Sequence, residues 1–273
     1  MIERQVRNLG NLSLFVRLML EGSEMILRLK EVTFGFSPQK PIFADLSFGL
    51  TKGRVYALLG PNGSGKTTLF NIITGYYKSQ SGEVLFNDRD ITHEVTYKIN
   101  RAGIGRSFQE SRLVSKLSVR DNILLAMQNN PTDNVIKAFL PPFIFRNRVR
   151  ILEEVVETIL TDYFLSDVRT SCASGISFGQ QKLLSLACCV ANGADLLLLD
   201  EPVAGISPEY RAKIGKLIQQ LKERGKTVLL IEHDTDFVAQ IADSFLLISE
   251  GIVSAFDNFA QLQNSQQASN AYF

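Results

Sequence analysis

The sequence predicts an α/β protein built on a mostly parallel sheet, and three stretches carry that expectation. Arg54–Leu59 is a β-branched and aliphatic run suited to a buried strand, Gly60-Pro61-Asn62-Gly63-Ser64-Gly65-Lys66-Thr67 turns the chain, and Thr68–Ile73 spaces its apolar residues for one helix face. Leu196–Leu199 is continuously apolar and ends in Asp200-Glu201-Pro202, as a strand covered on both faces would. A helical stretch from Pro208 to Arg224 then leads to a second predicted strand, Thr227–His233, so strands and helices alternate as parallel pairing requires.

The 273 residues are 45% hydrophobic and 21% charged, enough for a sizeable core in one large domain or two small ones. A net charge of +1, from 29 basic against 28 acidic residues, gives no electrostatic argument for nucleic acid or for broad membrane-surface binding. Apolar runs stop far short of the ~18 residues that span a bilayer, so work at a membrane would need other chains to supply the span. Cys172, Cys188 and Cys189 have no metal-ligand spacing and are expected as reduced, packed thiols of a cytosolic protein.

Residues 1–24 are expected to be peripheral, either flexible or loosely docked. Leu12–Leu20 is amphipathic but short, no convincing cleavage site follows it, and Met25 stands as an alternative start. Ile26–Val32 and Asp45–Leu50 alternate apolar with polar positions as half-buried strands do, with a turn at Ser37–Pro41 between them and another at Lys52-Gly53. Phe36, beside the first turn, reads as a core aromatic unless a nucleotide base needs a stacking surface.

Gly60–Thr67 matches G-x-x-x-x-G-K-[ST] at every specified position. With glycine near ~7% of residues, the four fixed positions would co-occur by chance in roughly one such chain in a hundred. A glycine-rich turn between strand and helix aims backbone N–H groups and the helix dipole at one anionic spot. Lys66 would reach β- and γ-phosphates, and the Thr67 hydroxyl would ligate Mg²⁺.

Beyond the loop, Gly82–Asp88 reads as a strand and turn, and Arg101–Gln109 as a buried-type strand after a polar helix. Residues 118–165 read as helical, with Ser118 as N-cap and breaks at Pro131 and Pro141-Pro142. Ser174–Gln181 is a Gly/Ser loop before an apolar helix, either a plain turn or a second helix start offered to a phosphate. Asp200 lies at the sheet edge where open α/β sheets bind ligands, placed as a Walker-B carboxylate to hold Mg²⁺, and Glu201 just beyond it to orient a water. His233 is a third polar group at that edge and is taken as a site residue; His93, in a polar stretch, is not. Ser244–Ser249 is the last predicted strand, followed by Gly251 and a Gln- and Asn-rich end.

In this order Phe36, GPNGSGKTT (60–68), Gln109, ISFGQQ (176–181), LLLLDEP (196–202) and His233 resemble the ATP-binding subunit of an ABC transporter, over nearly all of residues 25–273. GIGRSFQESRL (103–113), AFLPPFIFRNRVR (138–150), SFGQQK, DEPVAGISP, IEHD and the terminal Asn270-Ala271-Tyr272-Phe273 are similar to the branch that imports branched-chain amino acids and related solutes, the LivG type. The resemblance implies a RecA-like P-loop NTPase core, an N-terminal antiparallel β subdomain and an α-helical subdomain inserted at about 110–185.

It also implies roles. Phe36 would stack on adenine, and Gly60, Pro61, Asn62, Gly63, Ser64, Gly65, Lys66, Thr67 and Thr68 would wrap the phosphates of ATP. Thr67, Gln109 and, through water, Asp200 would complete the Mg²⁺ shell; Glu201 would be the general base; His233 would contact the γ-phosphate. Ser177, Gly179 and Gln180 would meet ATP held by a second ATP-binding subunit, identical or not, so that each site is composite. The further partners implied are transmembrane permease subunits, sensed through Gln109, and indirectly a solute-binding protein, with the chain peripheral on the cytoplasmic face of the membrane.

Four positions depart from the family pattern: Phe178 in place of glycine, Lys182 in place of arginine, Ser207 in place of Asp or Asn, and Asp257 in place of glycine. None removes a group needed for hydrolysis. A soluble ABC ATPase acting on ribosomes or nucleic acid would bring two cassettes, a long coiled-coil insertion or a basic surface, and the sequence has none of these. A nucleotide kinase or GTPase does not account for ISFGQQ or the late His233. The solute stays open among amino acids, urea-like amides and other small polar molecules.

Overall fold

Hydrophobic pattern sorts the strands into two sheets. In chain order they are β1 (Met25–Phe34), β2 (Phe43–Thr51), β3 (Val55–Leu59), β4 (Ser81–Phe86), β5 (Arg89–Asp90), β6 (Ile104–Arg106), β7 (Leu196–Asp200), β8 (Thr227–Ile231), β9 (Ser244–Ser249) and β10 (Ile252–Phe256). The alternating β1 and β2 pair antiparallel with β4 and β5 in the order β2-β1-β4-β5, and the fully buried β3, β7 and β8 form the centre of a six-stranded sheet, β10-β9-β3-β8-β7-β6. In the larger sheet β3 lies between β8 and β9, with Leu58 opposite Ile231 and Leu246, and only β10 runs antiparallel to its neighbour. The computed structural model describes residues 24–37, 39–107, 113–127 and 146–265. Residues 1–23, Gln109, the prolines at 131, 141 and 142, and Asn270–Phe273 lie outside them.

β3, β7 and β8 are buried at every position because both faces are covered. Alternate residues serve two cores. Val55, Ala57, Leu59, Leu197, Leu199, Val228 and Leu230 face one, and Tyr56, Leu58, Leu196, Leu198, Leu229 and Ile231 the other. The first core is closed by α3 (Val119–Ala126), α4 (Arg146–Asp162), α5 (Phe178–Ala191), α6 (Pro208–Glu223) and α7 (Thr235–Ile241). The second is closed by α1 (Lys66–Ile73), α2 (Thr96–Ala102) and the antiparallel sheet. The RecA-like parallel core and the N-terminal antiparallel sheet expected from the resemblance are both present, and α3 and α4 pack on α5 and on each other.

Local chemistry sets the details. Ser118 caps α3 as expected, accepting from the Asp121 N–H at 3.0 Å, and Pro208 opens α6 at a position where its missing N–H costs nothing. In β1 the alternation breaks at Glu31 (φ 50°), where a bulge moves the inward positions from Leu27 and Leu29 to Val32 and Phe34. β8 stops at Ile231, so His233 stands in the connection beyond the strand.

Two expectations are corrected. The chain does not turn polar after Ser249: Glu250 (φ 52°) and Gly251 (φ 78°) make a hairpin turn whose two left-handed residues match strand twist, and β10 and α8 (Phe259–Gln263) follow. Nor are the cysteines uniformly packed. All three are free, but Cys172 is exposed and Cys188 half-buried; only Cys189 is fully inside, where burial pushes its thiol up to about 12.

Tyr56 joins the two sheets. Its hydroxyl, at the inner face of β3, accepts from the Thr51 N–H at 2.8 Å and lies 2.6 Å from the Thr51 hydroxyl at the end of β2. Tyr56→Phe leaves that buried amide unpaired and is expected to destabilise the protein by about 1–3 kcal/mol, read from the midpoint shift in urea unfolding.

Candidate functional site

The loop between β3 and α1 takes its shape from glycine and lysine. Gly65 caps α1 in a left-handed conformation (φ 102°), and a Cβ there would lie 2.8 Å from the Phe43 ring of β2, so both backbone angle and space demand glycine. Lys66 folds back and donates to the carbonyls of Gly60 (2.6 Å) and Pro61 (3.0 Å). Burial pulls its pKa below the ordinary lysine value, against the attraction of Glu201 and Asp200. Thr67 is exposed beside it, Thr68 half-buried, and Ser64 Oγ is buried with no hydrogen-bond partner among the described residues.

A second group of polar residues gathers where β7 and β8 end. Asp200 is buried, its backbone N–H donates to Ser107 Oγ at 3.3 Å, and its carboxylate lies 3.6 Å from the Arg106 guanidinium. Burial pushes the Asp200 carboxyl up, and Arg106 holds it down. Arg106 also donates to Asn71 Oδ1 at 2.7 Å and sits 5.5 Å above the Phe70 ring, which ties β7 to α1. Glu201 takes a left-handed backbone (φ 48°), and its carboxylate comes within 3.5 Å of His233 Nε2. The Glu201 carbonyl accepts from Lys182 Nζ at 2.8 Å. Burial lowers the Lys182 pKa, against the pull of Glu232, Glu201 and Asp200. Glu232, only 2% exposed, accepts from the N–H groups of Val203 (2.8 Å) and His233 (3.2 Å). Burial raises its carboxyl pKa more than those two donors lower it.

Phe36 is not a core residue. It is 70% exposed and meets Phe34 and Tyr77 edge-on, with ring centroids 5.3 and 5.4 Å away, while Phe34 and Tyr77 stack on each other. This ring lines the same cleft of about 810 Å³ as Pro61, Asn62, Gly63 and Ser64. Glu250 and Gly251 of the β9–β10 hairpin, unforeseen in the sequence, line it too.

Ser177 and Gln180 close on each other at the start of α5. The Ser177 hydroxyl accepts from the Gln180 N–H (3.3 Å), and the Gln180 side chain accepts from the Ser177 N–H (2.9 Å), a reciprocal capping box. The plain-turn alternative thus gives way to a capped helix end, with Ser177 exposed. Gly179 has a structural reason within the chain, since a Cβ there would lie 2.5 Å from the Tyr210 ring of α6. Phe178 is exposed and lies 5.5 Å from Lys182 Nζ. Ser207, at the N-cap of α6, makes no side-chain capping bond.

The structure therefore brings Lys66, Asp200, Glu201 and His233 to one sheet edge and Phe36 to the loop's own cleft, and sets Ser177, Gly179 and Gln180 on a separate helix end. The sequence alone does not single out Arg106, Lys182 and Glu232 as site residues. Their type gives a faint signal: Glu232 directly follows the apolar run of β8, and Lys182 opens the apolar run of α5, but only the fold shows what they and Arg106 face. Gly179→Ala is expected to cost about 1–3 kcal/mol by forcing a methyl into the Tyr210 ring. Urea unfolding should show a smaller cost in a Tyr210→Ala background, and equal costs would remove Tyr210 as the cause.

Comparison with known proteins agrees with this geometry. The ABC transporter family profile matches residues 43–204. The chain is 32% identical over 220 residues to the high-affinity branched-chain amino acid transport ATP-binding protein BraF of Pseudomonas aeruginosa, covering 80% of this chain and 86% of that protein. It is equally 32% identical over 229 residues to LivG of Escherichia coli, a protein of the same description, covering 84% and 90%. Among solved structures it is similar to a nucleotide-free ATP-binding cassette from an ABC transporter, with a TM-score of 0.76 at 28% identity, covering 91% of this chain and 99% of the other. The chain belongs to the ABC transporter family, as an ATP-binding subunit that hydrolyses ATP.

Proposed function

We propose that this subunit hydrolyses ATP in a composite site shared with a second ATP-binding subunit, and that the resulting closure and release drives import of branched-chain amino acids, or a related small polar solute such as urea, through membrane permease subunits. The observation that carries the nucleotide assignment is the single cleft lined by the exposed Phe36 ring and by Pro61–Ser64. Adenine stacks on Phe36, and Gly60–Thr68 surround the phosphates, with the Lys66 ammonium already held over the loop by its carbonyls.

The residues fit Mg²⁺. One buried carboxylate (Asp200) and one exposed hydroxyl (Thr67) leave room for the phosphate oxygens and waters that this ion keeps, and among the described residues no cluster of three or more His, Cys, Asp or Glu competes as an all-protein cage. The unpartnered Ser64 hydroxyl is a further polar group suited to a phosphate oxygen. When bound, Mg²⁺ neutralises charge on the phosphate oxygens. Gln109, outside the described residues, is assigned by resemblance to the same shell and to contact with the permease.

Glu201 acts as general base toward the attacking water, and His233, 3.5 Å from its carboxylate, contacts the γ-phosphate. The capped start of α5, with Ser177 exposed, supports the composite arrangement: Ser177, Gly179 and Gln180 meet the γ-phosphate held by the partner. The transported solute is proposed from the relatives BraF and LivG, named for branched-chain amino acid transport. Among the described residues no helix is long and apolar enough to cross a membrane, which accords with permeases as separate chains and with a peripheral place on the cytoplasmic face.

Glu201→Gln should keep ATP binding and lose hydrolysis by about 100-fold or more; a wild-type rate removes Glu201 as the base. Mixing Ser177→Ala with Lys66→Ala subunits should yield dimers with one intact composite site, hence more ATPase activity than either variant alone. No gain on mixing would argue for sites contained within single chains.

A further inference from the structure

Glu201 combines the proposed chemistry with an uncommon backbone. A non-glycine residue at φ 48° persists only where its surroundings over-determine it, and here they can be named. The Glu201 N–H donates to the Ile231 carbonyl at 3.0 Å, and its own carbonyl accepts from Lys182 Nζ at 2.8 Å. Two residues on, the Val203 N–H donates to one oxygen of Glu232, whose other oxygen accepts from the His233 N–H. One carboxylate therefore fixes the turn after Glu201 and the connection that carries His233.

Both buried ions are otherwise hard to explain. Lys182 is 7% exposed and Glu232 2%, and two apolar side chains would fill such positions at less desolvation cost. Lys182 is also four residues after Phe178, the exposed aromatic of ISFGQQ (176–181), and its ammonium lies 5.5 Å from the centre of that ring. One ammonium thus touches both the first turn of α5 and the backbone of Glu201.

We propose that Lys182 and Glu232 are positioning residues for hydrolysis: together they hold the Glu201–Val203 turn and the His233 backbone in one arrangement, and they tie the start of α5 to the Glu201–His233 pair of the same chain. This rests on Glu201 being the base. The start of α5 is the part of this chain proposed to face the partner's nucleotide, so the strut links an event at the neighbouring site to the alignment of this chain's own hydrolytic pair.

The test compares Lys182→Met, which keeps length but removes the donor, with Lys182→Arg, which restores one. In Lys182→Met the saturated ATPase rate should fall by about 10- to 100-fold, the cost of a small misplacement of a catalytic group. The Kd for MgATP should stay within about threefold, since no phosphate contact is altered. Lys182→Arg should recover most of the rate. Glu232→Gln, left with one acceptor oxygen for two amide donors, should likewise lower the rate more than ATP binding. A Lys182→Met rate within about twofold of wild type overturns the proposal, as does a loss of rate and ATP binding in equal measure that Lys182→Arg does not restore. Glu201→Gln run alongside separates the two levels. If it is inactive while Lys182→Met is normal, only the strut falls; if it is active, the assignment of the base falls and the strut with it.

Discussion

A parallel sheet covered on both faces has no lateral position where a charge meets water or a ligand, so its ionic chemistry is pushed to the strand ends. Five-residue strands buried throughout, β3, β7 and β8, impose that rule here. The phosphate loop leaves β3 and the Asp200-Glu201 pair leaves β7. Glu232 and His233 follow β8. All emerge at one edge because parallel strands share a direction, which is why residues distant in sequence meet there. The apolar cores set the geometry, and the edge gathers the polar groups.

The edge is costly to build, and the structure shows how it is held. Lys66, Lys182, Asp200 and Glu232 are all buried ions, and each has partners: loop carbonyls for Lys66, the Glu201 carbonyl for Lys182, Arg106 for Asp200, and two backbone amides for Glu232. Arg106 reaches across to Asn71 on the helix that begins at the phosphate loop, so the two polar groups are mechanically joined. The family assignment supplies the activity of this arrangement; the buried contacts account for its rigidity.

Much of this was legible in the sequence because it depends on local pattern. The Gly60–Thr67 turn, the continuous apolar strands, the Ser118 cap and the carboxylates after Leu199 each state their role within a few residues. What was not legible depends on contacts across the fold. Gly179 reads as a ligand-facing glycine, yet Tyr210 on another helix fixes its size. The β9–β10 hairpin lacks the usual Asn-Gly or Asp-Gly signal, and its Glu250-Gly251 turn was hidden in a polar tail. Phe36 was ambiguous between core and surface until Phe34 and Tyr77 were seen to support it edge-on. Lys182 reads only as a lysine in place of arginine after ISFGQQ, because the carbonyl it serves lies on a different element.

One contact between the two sheets has a wider consequence. Ile42 and Phe43, at the start of β2, are pinched: a Cβ on Gly65 would lie 2.8 Å from the Phe43 ring, and one on Gly251 would lie 2.5 Å from the Ile42 carbonyl. The first residues of this sheet's β2 are thereby packed closely against both the phosphate loop and the β9–β10 hairpin. Through this segment the stretch of chain that follows Phe36 packs directly on the loop at Gly60–Thr67. A larger side chain at either glycine would therefore displace the start of β2, and with it one wall of the cleft that Phe36 and Pro61–Ser64 share.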